Sequence, residues 1–538
     1  MTQFHVTLRA TLLSICLLAF GGDSTADPSR PNVLLFFADD WGRYASIYAD
    51  AETPSLNDLI STPNIDRIGR EGVVFENAFV PVASCSPCRA SLATGRYFWN
   101  CGSGAFLNGK ASNWKGHANP MQRLPKFADQ IRESGYYVQK SQKTFAFTPS
   151  PRPKKVRAMG KVGYQRYGLY VGSATDKAQR EARHEEILAN CRQEIQQVLT
   201  GRGKEQPFFF VFGSINAHRP YVADSGKNLW GIDPDSLQGL LPKFLPDAHD
   251  VRRDFSDYLG EVLALDLMLG VMLETLADSG ELDNTVIILS GDHGIPGIPR
   301  GKTNCYDLAT RVPLLVRWPK GIPAGRRIND FVSLMDLGPT LLELSGNKVP
   351  ASMDGRSFLP QLTSDRAGWI DAARDSVIIG RELHFHNARP GNVPYPMRAV
   401  RSKDHLYIRN FKPERWPMGN PFDAASVKEA DALYAMGLAT TPAYRDLDGS
   451  LTKAFMMSQQ ASSDFEKLFR LTMHPRPSEE LYDLASDPDQ LVNLAQDPKY
   501  SDILSSLRDQ VDQVMKDSND PRLQDAFDRL PWVDPTKP

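Results

Sequence analysis

The chain contains few cysteines and almost no net charge for its length. Six of its 538 residues are cysteine, which excludes a small fold held together by disulfides. The 62 basic and 64 acidic side chains leave a formal net charge of -2, so the composition gives no reason to expect nucleic acid or an anionic membrane as a partner. Any affinity for a polyanion must therefore come from a local pocket.

Long apolar runs are also scarce. The run Ala10–Phe20 is shorter than a membrane-spanning helix, and residues 24–26 end in the small-residue pattern of a signal-peptidase site. No later run reaches spanning length. We therefore expect residues 1–26 to be a signal peptide and the mature protein to be exported, to the periplasm or beyond, without a membrane span.

Neither internal repeats nor low-complexity linkers divide the remaining chain. Buried-strand patterns alternate with amphipathic helices up to about residue 365, and short antiparallel strands with one terminal helix follow. This predicts an α/β catalytic domain over 27–365 and a smaller α+β domain over 366–538 that shares an interface with it. The predicted strands are 32–37, 207–212, 285–289, 314–317, 377–380, 397–401, 406–409 and 480–484; the predicted helices are 124–134, 179–200, 254–278 and 501–515, with 332–340 as part of a helix and loop closing the large domain.

The stretch 84–96 carries the strongest local signal. Cys85 opens a segment that reads as a helix until Gly95, and Arg89 lies one turn further along the same face. Backbone N–H groups and the dipole at a helix N-terminus favour negative charge. The pattern predicts a cysteine in an anion-binding pocket, either as a reactive thiolate or beside an anionic substrate. The alternative is a buried or disulfide-bonded cysteine, and the pairing of the other four mature cysteines stays open.

Two acidic pairs follow predicted core strands. Asp39 and Asp40 come directly after the apolar run 32–37, and Asp292 and His293 follow the run 285–289. Open α/β sheets place their sites at the carboxyl ends of such strands. Adjacent carboxylates repel one another unless a cation is present, so a divalent metal with hard oxygen ligands, Ca²⁺ or Mg²⁺, is the favoured interpretation. A solvated turn is the alternative.

These motifs together resemble a known enzyme family. Cys85-x-Pro87-x-Arg89-x-x-x-x-Thr94-Gly95 resembles the signature of the type I sulfatases. Within that family, the closest resemblance is to the N-sulfoglucosamine sulfohydrolase (sulfamidase) branch, carried by the segments 292–296, 301–304, 395–398, 481–483 and 493–495. The resemblance implies an alkaline-phosphatase-like α/β fold, with a large mixed sheet flanked by helices and a smaller C-terminal antiparallel sheet plus helix.

The resemblance also implies a chemistry. A formylglycine-generating maturation enzyme converts the cysteine to an aldehyde, whose hydrate attacks sulfur and then expels sulfate through its second hydroxyl. Ca²⁺ polarises the sulfate oxygens, and basic side chains neutralise their charge. The implied residues are Cys85 for formylglycine, Asp39, Asp40, Asp292 and His293 for Ca²⁺, Arg89, Lys143 and Lys302 for sulfate, and His218, after the strand 207–212, for protonating the leaving group.

The chain departs from the family pattern after Lys143. A histidine is common shortly after this lysine in sulfatases, but residues 145–147 are Phe-Ala-Phe. This leaves one leaving-group or aldehyde contact without a candidate. Polar residues around the start of the second domain are candidates for a sugar-binding rim, although solvated loop residues are the ordinary interpretation. These residues are Glu382, His384, His386 and Arg398.

The expected substrate is a sulfated saccharide, cleaved at a sulfate ester or a sulfamate. A sulfamidase-like glycan sulfohydrolase is favoured, and an O-sulfatase acting on another sulfated polysaccharide, such as an algal glycan, is the alternative. A phosphoester hydrolase of the same fold would need Ser or Thr with two Zn²⁺ and more ligands than the sequence offers. A glycan-binding protein without turnover is the remaining alternative, because of the missing histidine.

Overall fold

A large mixed sheet of seven strands forms the centre of the molecule. The computed structural model describes residues 30–107, 121–151, 166–534 and 536, so the expected signal peptide lies outside the described residues. The strand order is β3-β4-β1-β5-β6-β2-β7, and β6 runs antiparallel to both of its neighbours. The strands are β1 Asn32–Ala38, β2 Val73–Phe79, β3 Tyr137–Gln142, β4 Phe208–Gly213, β5 Thr285–Gly291, β6 Leu314–Arg317 and β7 Arg326–Ser333.

Helices cover both faces of this sheet. Alternate residues of β1 divide between two cores, as a strand buried on both faces requires. Leu34 and Phe36 pack on the side of the two longest helices, α5 and α7, and Leu35 packs on the side of α2, α3 and α9. The helices are α1 Pro63–Arg70, α2 Cys85–Thr94, α3 Phe127–Glu133, α4 Tyr167–Gly172, α5 Lys177–Gly201, α6 Ser225–Trp230, α7 His249–Asp278, α8 Asp307–Thr310, α9 Leu337–Leu344, α10 Leu359–Thr363, α11 Ala430–Gly437, α12 Leu451–Ser458, α13 Glu466–Met473 and α14 Ser501–Asp517.

A second, antiparallel sheet of four strands lies against one end of the first. One of its faces packs on Phe79 and Phe331 of the large sheet, and the other packs on α14. The strand order is β11-β10-β9-β8, with β8 Ser376–Arg381, β9 Met397–Ser402, β10 His405–Asn410 and β11 Glu479–Asp483. The mixed sheet, the antiparallel sheet and its helix confirm the predicted fold class.

Two parts of the chain differ from the prediction. Residues 332–340 were expected to be helix and loop, but 332–333 complete β7, which pairs parallel with β2 at the sheet edge, and the helix begins only at Leu337. Helices α11–α13 lie between β10 and β11 and were not predicted. Because Met456 and Met457 of α12 join the core around α7, part of the predicted second domain belongs to the first domain's core.

The register of the central strands aligns the edge at which they end. Phe36 lies opposite Phe212 of β4 and Leu289 of β5, and Ala38 lies opposite Gly291. The three parallel strands therefore finish at the same height, and the residues that follow them emerge side by side. This edge carries the candidate site.

The cysteines that the structure describes are all buried and form no disulfide: Cys85, Cys88, Cys101, Cys191 and Cys305. This answers the question of pairing that the sequence left open.

In the described ranges, none of the helices combines the length and the apolar character that crossing a membrane requires.

Candidate active site

Three distant segments of the chain meet at this edge: the residue pair after β1, the pair after β5, and the start of α2. The thiol sulfur of Cys85 lies 3.1 Å from Nε2 of His293 and 3.8 Å from a carboxylate oxygen of Asp40. Cys85 is the first residue of α2, as predicted, and is buried. The structure therefore brings together the predicted nucleophile position and the predicted metal-ligand residues.

Close backbone packing fixes the carboxylates in place. Asp40 has a left-handed backbone (φ 59°), and its N–H donates to Oδ1 of Asp292 at 2.9 Å. Gly291, at the end of β5, approaches the carbonyl of Trp41 so closely that a Cβ would lie 1.9 Å from that oxygen. Only glycine fits there. The two acidic pairs are thus held against each other by the strand ends themselves.

The predicted ligand residues fall into two overlapping groups that could hold a metal ion, one containing Asp39, Asp292 and His293 and the other Asp39 and Asp40. Asp39, Asp40, Asp292 and His293 are fully buried. Nε2 of His293 lies 3.2 Å from Oδ1 of Asp40 and 3.5 Å from Oδ1 of Asp292. Donors that share one Ca²⁺ at about 2.3–2.6 Å are separated by such distances, and carboxylate oxygens are its preferred ligands. The residues present therefore fit the ion that the sequence resemblance implies.

Three basic side chains converge on the same carboxylates. Arg89 donates from Nε to Asp292 at 2.9 Å and from Nη2 to Asp39 at 3.1 Å. Lys143 Nζ lies 2.6 Å from Asp39, and Lys302 Nζ lies 3.1 Å from Asp40. A pocket in which buried cations and carboxylates alternate can bind a divalent cation together with an oxyanion.

Burial and these partners set the charge states. Burial raises the pKa of Asp39, but Lys143 and Arg89 outweigh it and hold that pKa well below the usual range. Burial, opposed by Arg89, leaves the pKa of Asp292 raised. Lys302 is buried, yet Asp40 and the surrounding groups raise the pKa of its ammonium well above normal. The lysines and Asp39 are accordingly ionised in the folded protein.

The thiol of Cys85 behaves differently from the prediction of a reactive thiolate. Burial, followed by the nearby Asp39 carboxylate, raises its pKa well above the ordinary value. The helix N-terminus and the neighbouring lysines do not compensate for this. The unmodified side chain is thus a neutral thiol, so the thiolate expectation is wrong, and the pocket is suited to an anion other than the cysteine itself.

His218 lies on the loop after β4 and turns its imidazole toward the cluster. Nδ1 lies 2.7 Å from the carbonyl oxygen of Arg219 and 3.1 Å from Nη2 of Arg166. Nε2 faces Asp39, 3.9 Å from Oδ2. The position that lacks the family's histidine is filled by apolar packing, because the rings of Phe145 and Phe147 pack with each other at 5.1 Å in the core.

The four suggested rim residues are placed less favourably. Glu382 and Arg398 are buried and paired with each other at 2.9 Å, and Arg398 also binds Asp520. Their place at a solvent-facing rim is therefore corrected: they join the second sheet to the segment after α14. His384 is buried, with Nδ1 2.8 Å from the hydroxyl of Ser84, and His386 is half-buried.

One residue beside the cluster was missed. Asp448 lies 3.5 Å from Nζ of Lys302, on the loop before α12. Little in the sequence points to Asp448, because the turn Asp446-Leu447-Asp448-Gly449 has the composition of many polar loops.

The fold and this site define a hydrolase that acts on oxyanion esters, and comparisons with known proteins identify the family. The family model described as Sulfatase matches residues 31–347, and the model described as N-sulphoglucosamine sulphohydrolase, C-terminal, matches residues 300–418. The chain belongs to the sulfatase family, in its sulfamidase-like branch. It is accordingly a sulfuric ester hydrolase.

Curated relatives are similar at low identity. An ulvan-active sulfatase of Formosa agariphila is 26% identical over 425 residues, covering 72% of this chain and 62% of that protein. The human N-sulphoglucosamine sulphohydrolase is 27% identical over 416 residues, covering 71% of this chain and 74% of that protein. The human N-acetylglucosamine-6-sulfatase is 26% identical, covering 66% and 68%.

Solved structures share the fold. A protein in complex with its substrate D-glucosamine-2-N,6-O-disulfate aligns with a TM-score of 0.56 and 17% identity, over 91% of this chain and 98% of that chain. The phosphonate monoester hydrolase of Agrobacterium radiobacter aligns with a TM-score of 0.56 and 19% identity, over 91% and 96%. At these identities the likeness concerns the fold alone.

Proposed function

We propose that the protein is an exported sulfatase that releases sulfate from sulfated saccharides, with Cys85 as the precursor of formylglycine and Ca²⁺ as cofactor. The observation that carries this is the meeting of Cys85 with Asp40 and His293 at one sheet edge, surrounded by buried cations. A maturation enzyme that oxidises Cys85 is the partner this requires.

Each side chain then has a role in the reaction. Asp39, Asp40, Asp292 and His293 would hold Ca²⁺, which would supply positive charge at the sulfate, and the aldehyde hydrate at position 85 would supply a nucleophile with a second hydroxyl. Arg89 holds Asp39 and Asp292 in place. Lys143 and Lys302 neutralise the charge that spreads over the sulfate oxygens. His218 gives its Nε2 proton to the departing sugar oxygen or nitrogen.

The substrate class follows from the relatives and is the finer part of the proposal. Their names include N-sulphoglucosamine, N-acetylglucosamine-6-sulfate and ulvan activities, all directed at sulfated sugars. We favour a sulfamidase-like glycan sulfohydrolase, because the second matching family model is that of N-sulphoglucosamine sulphohydrolase. An O-sulfatase for another sulfated polysaccharide is the alternative.

A phosphoester hydrolase of the same fold is disfavoured by the residue at the nucleophile position. That chemistry would need a Ser or Thr hydroxyl, whereas the residue beside the carboxylate cluster is Cys85.

The test compares matched substrates. The enzyme, produced with a formylglycine-generating enzyme, is assayed on 4-nitrophenyl sulfate, 4-nitrophenyl phosphate, glucosamine N-sulfate and glucosamine 6-sulfate, and its bound metal is identified by mass spectrometry. We expect calcium, and a kcat/KM for the aryl sulfate that exceeds that for the phosphate. Faster phosphate release with bound zinc would contradict the proposal, and the two glucosamine sulfates separate sulfamidase from O-sulfatase action.

A further inference from the structure

Asp448 lies on the outer side of Lys302. Lys302 connects it to the cluster: its Nζ is 3.1 Å from Asp40 and 3.5 Å from Asp448. The side chains become more exposed in that order outward, from 0% for Asp40 and 5% for Lys302 to 25% for Asp448. Asp448 is thus a partly exposed acidic group beside the lysine that the proposed function assigns to the sulfate.

The carboxylate of Asp448 is ionised and has spare acceptor capacity. Burial raises its pKa, but Lys302 foremost, with neighbouring histidine and arginine side chains, holds the pKa well below the usual range. At 3.5 Å the ion pair with Lys302 is longer than a strong charged hydrogen bond. Within the described part of the chain, no hydrogen bond to this carboxylate is formed. Its oxygens are available to a ligand.

The loop that carries Asp448 is fixed from within. Nζ of the fully buried Lys453 donates to the carbonyl oxygens of Ala443 at 2.7 Å and Leu447 at 3.0 Å, and reaches three others of the same loop. The N–H of Gly449 donates to the hydroxyl of Thr440 at 3.0 Å. The residues on both sides of Asp448 are therefore anchored.

Asp446, two residues earlier, anchors the same loop to the second sheet. It accepts from Arg381 at 2.5 Å and from Arg389 at 2.6 Å, and all three side chains are buried. A carboxylate on a loop held by so many buried contacts is positioned before the substrate arrives, which is the requirement for selective recognition.

We propose that Asp448 determines substrate specificity: its carboxylate accepts a hydrogen bond from an unsulfated hydroxyl next to the sulfated position of the sugar, and it repels a second sulfate there. This rests on the proposed function and narrows the substrates to saccharides that carry an unsulfated hydroxyl next to the sulfated position. The enzyme then acts after any enzyme that removes the adjacent sulfate. Like charges brought together at a partly desolvated site repel each other strongly, so a second sulfate at this position is excluded.

The competing interpretation is that Asp448 only orients Lys302. In that case its removal alters the handling of sulfate itself, whatever the rest of the substrate is. Under our proposal, removing Asp448 affects a substrate without a neighbouring hydroxyl less than a substrate that carries one. Aryl sulfates provide that comparison, because 4-nitrophenyl sulfate carries the sulfate but no hydroxyl group.

The experiment measures binding and turnover separately. In the turnover-deficient Cys85→Ala background, calorimetry compares glucosamine N-sulfate with its 3-O-sulfated form, with and without Asp448→Asn. We expect Asp448→Asn to weaken binding of the monosulfated sugar roughly 10- to 100-fold, as the loss of a hydrogen bond to a charged group does, and to strengthen binding of the disulfated sugar. In the otherwise native enzyme, Asp448→Asn should lower kcat/KM for 4-nitrophenyl sulfate by a clearly smaller factor than kcat/KM for glucosamine N-sulfate.

Two variants serve as controls. Asp423→Asn removes an exposed carboxylate of the same region and should change neither sugar's affinity. Asp448→Glu keeps the charge and should retain the discrimination, which guards against misfolding of the Asn variant.

Parallel changes for both sugars and the aryl sulfate, or no change at all, would overturn the proposal for Asp448. Failure of Cys85→Ala to bind either sugar would overturn it as well, even if the wild type cleaves the aryl sulfate. A wild type that releases no sulfate from any substrate contradicts the proposed function instead. The calorimetry still decides whether Asp448 recognises the group next to the sulfated position.

Discussion

At the scale of single residues, burial and charge act against each other within one pocket. Asp39 is ionised because Lys143 and Arg89 offset its burial, whereas Cys85 stays a neutral thiol because burial and Asp39 prevail. The pocket therefore stabilises the carboxylate of Asp39 but not a thiolate at Cys85. Under the proposed function, this is why the cysteine must be converted before it can act as a nucleophile.

His384 should make the fold sensitive to acid. Burial lowers the pKa of its imidazole to about 3, below the ordinary value of 6.5 in the unfolded chain. Between pH 3 and pH 6.5 the imidazole is protonated in the unfolded chain but not in the folded protein. The free energy of unfolding therefore falls as the pH drops below about 6.5, by about 2 kcal/mol at pH 5 relative to neutral pH. Urea unfolding at both pH values should show a smaller loss for His384→Gln.

His249→Gln, at an exposed position of α7, is the matched control and should keep the wild-type pH dependence. An unchanged pH dependence in His384→Gln would show that this imidazole is not the group responsible.

At the scale of elements, patterns with a clear period were predictable and irregular segments were not. The apolar runs of β1, β4 and β5 and the long repeat of α7 identified the core and the edge where the site lies. The strand β7 was not predicted, because polar and charged residues occupy part of it at the sheet edge. Helices α11–α13 were not predicted, because each is only eight residues long and too short to show a clear helical period.

Lys453 is the residue on which the loop before α12 depends. Replacing it by methionine keeps the aliphatic stem but leaves several buried carbonyl oxygens of residues 439–447 without a donor. We expect Lys453→Met to lower the free energy of unfolding by roughly 3 kcal/mol, as an unsatisfied buried polar cluster does, measured by urea denaturation. The exposed Lys428→Met should change it little, and equal stability of both variants would refute this role.

At the scale of the whole molecule, a buried network of charges joins the second sheet to the segment after α14. Arg398 pairs with Asp520 at 2.6 Å and with Glu382 at 2.9 Å, and Glu382 also pairs with Arg522. The links to Asp520 and Arg522 were not visible in the sequence, because each spans more than a hundred residues and follows no motif. The predicted boundary between residues 365 and 366 stays a prediction, although buried contacts cross it.

Breaking this network should destabilise the molecule as one unit. Asp520→Asn removes one of the two carboxylates that pair with the buried Arg398, a change that costs up to about 3–5 kcal/mol. Calorimetry should show a single transition at a lower temperature, whereas the exposed Asp517→Asn on the same segment should leave it unchanged. Two separate transitions would contradict the shared core.

The meeting of Cys85 with the residues after β1 and β5 could be predicted from the sequence. The topology places the carboxyl ends of parallel core strands together, and the motif around Cys85 resembles one that occurs with such residues. Asp448 could not be predicted, since only the folded loop brings it to Lys302, and the burial of Glu382 and Arg398 was hidden for the same reason.

The most direct test of the account is sulfate release by Cys85→Ala beside Cys88→Ala, both produced with the maturation enzyme. Both cysteines are buried in α2, but only Cys85 faces the carboxylate cluster. The account predicts that Cys85→Ala releases no sulfate above background while Cys88→Ala remains active. Turnover by Cys85→Ala at the wild-type rate would contradict it.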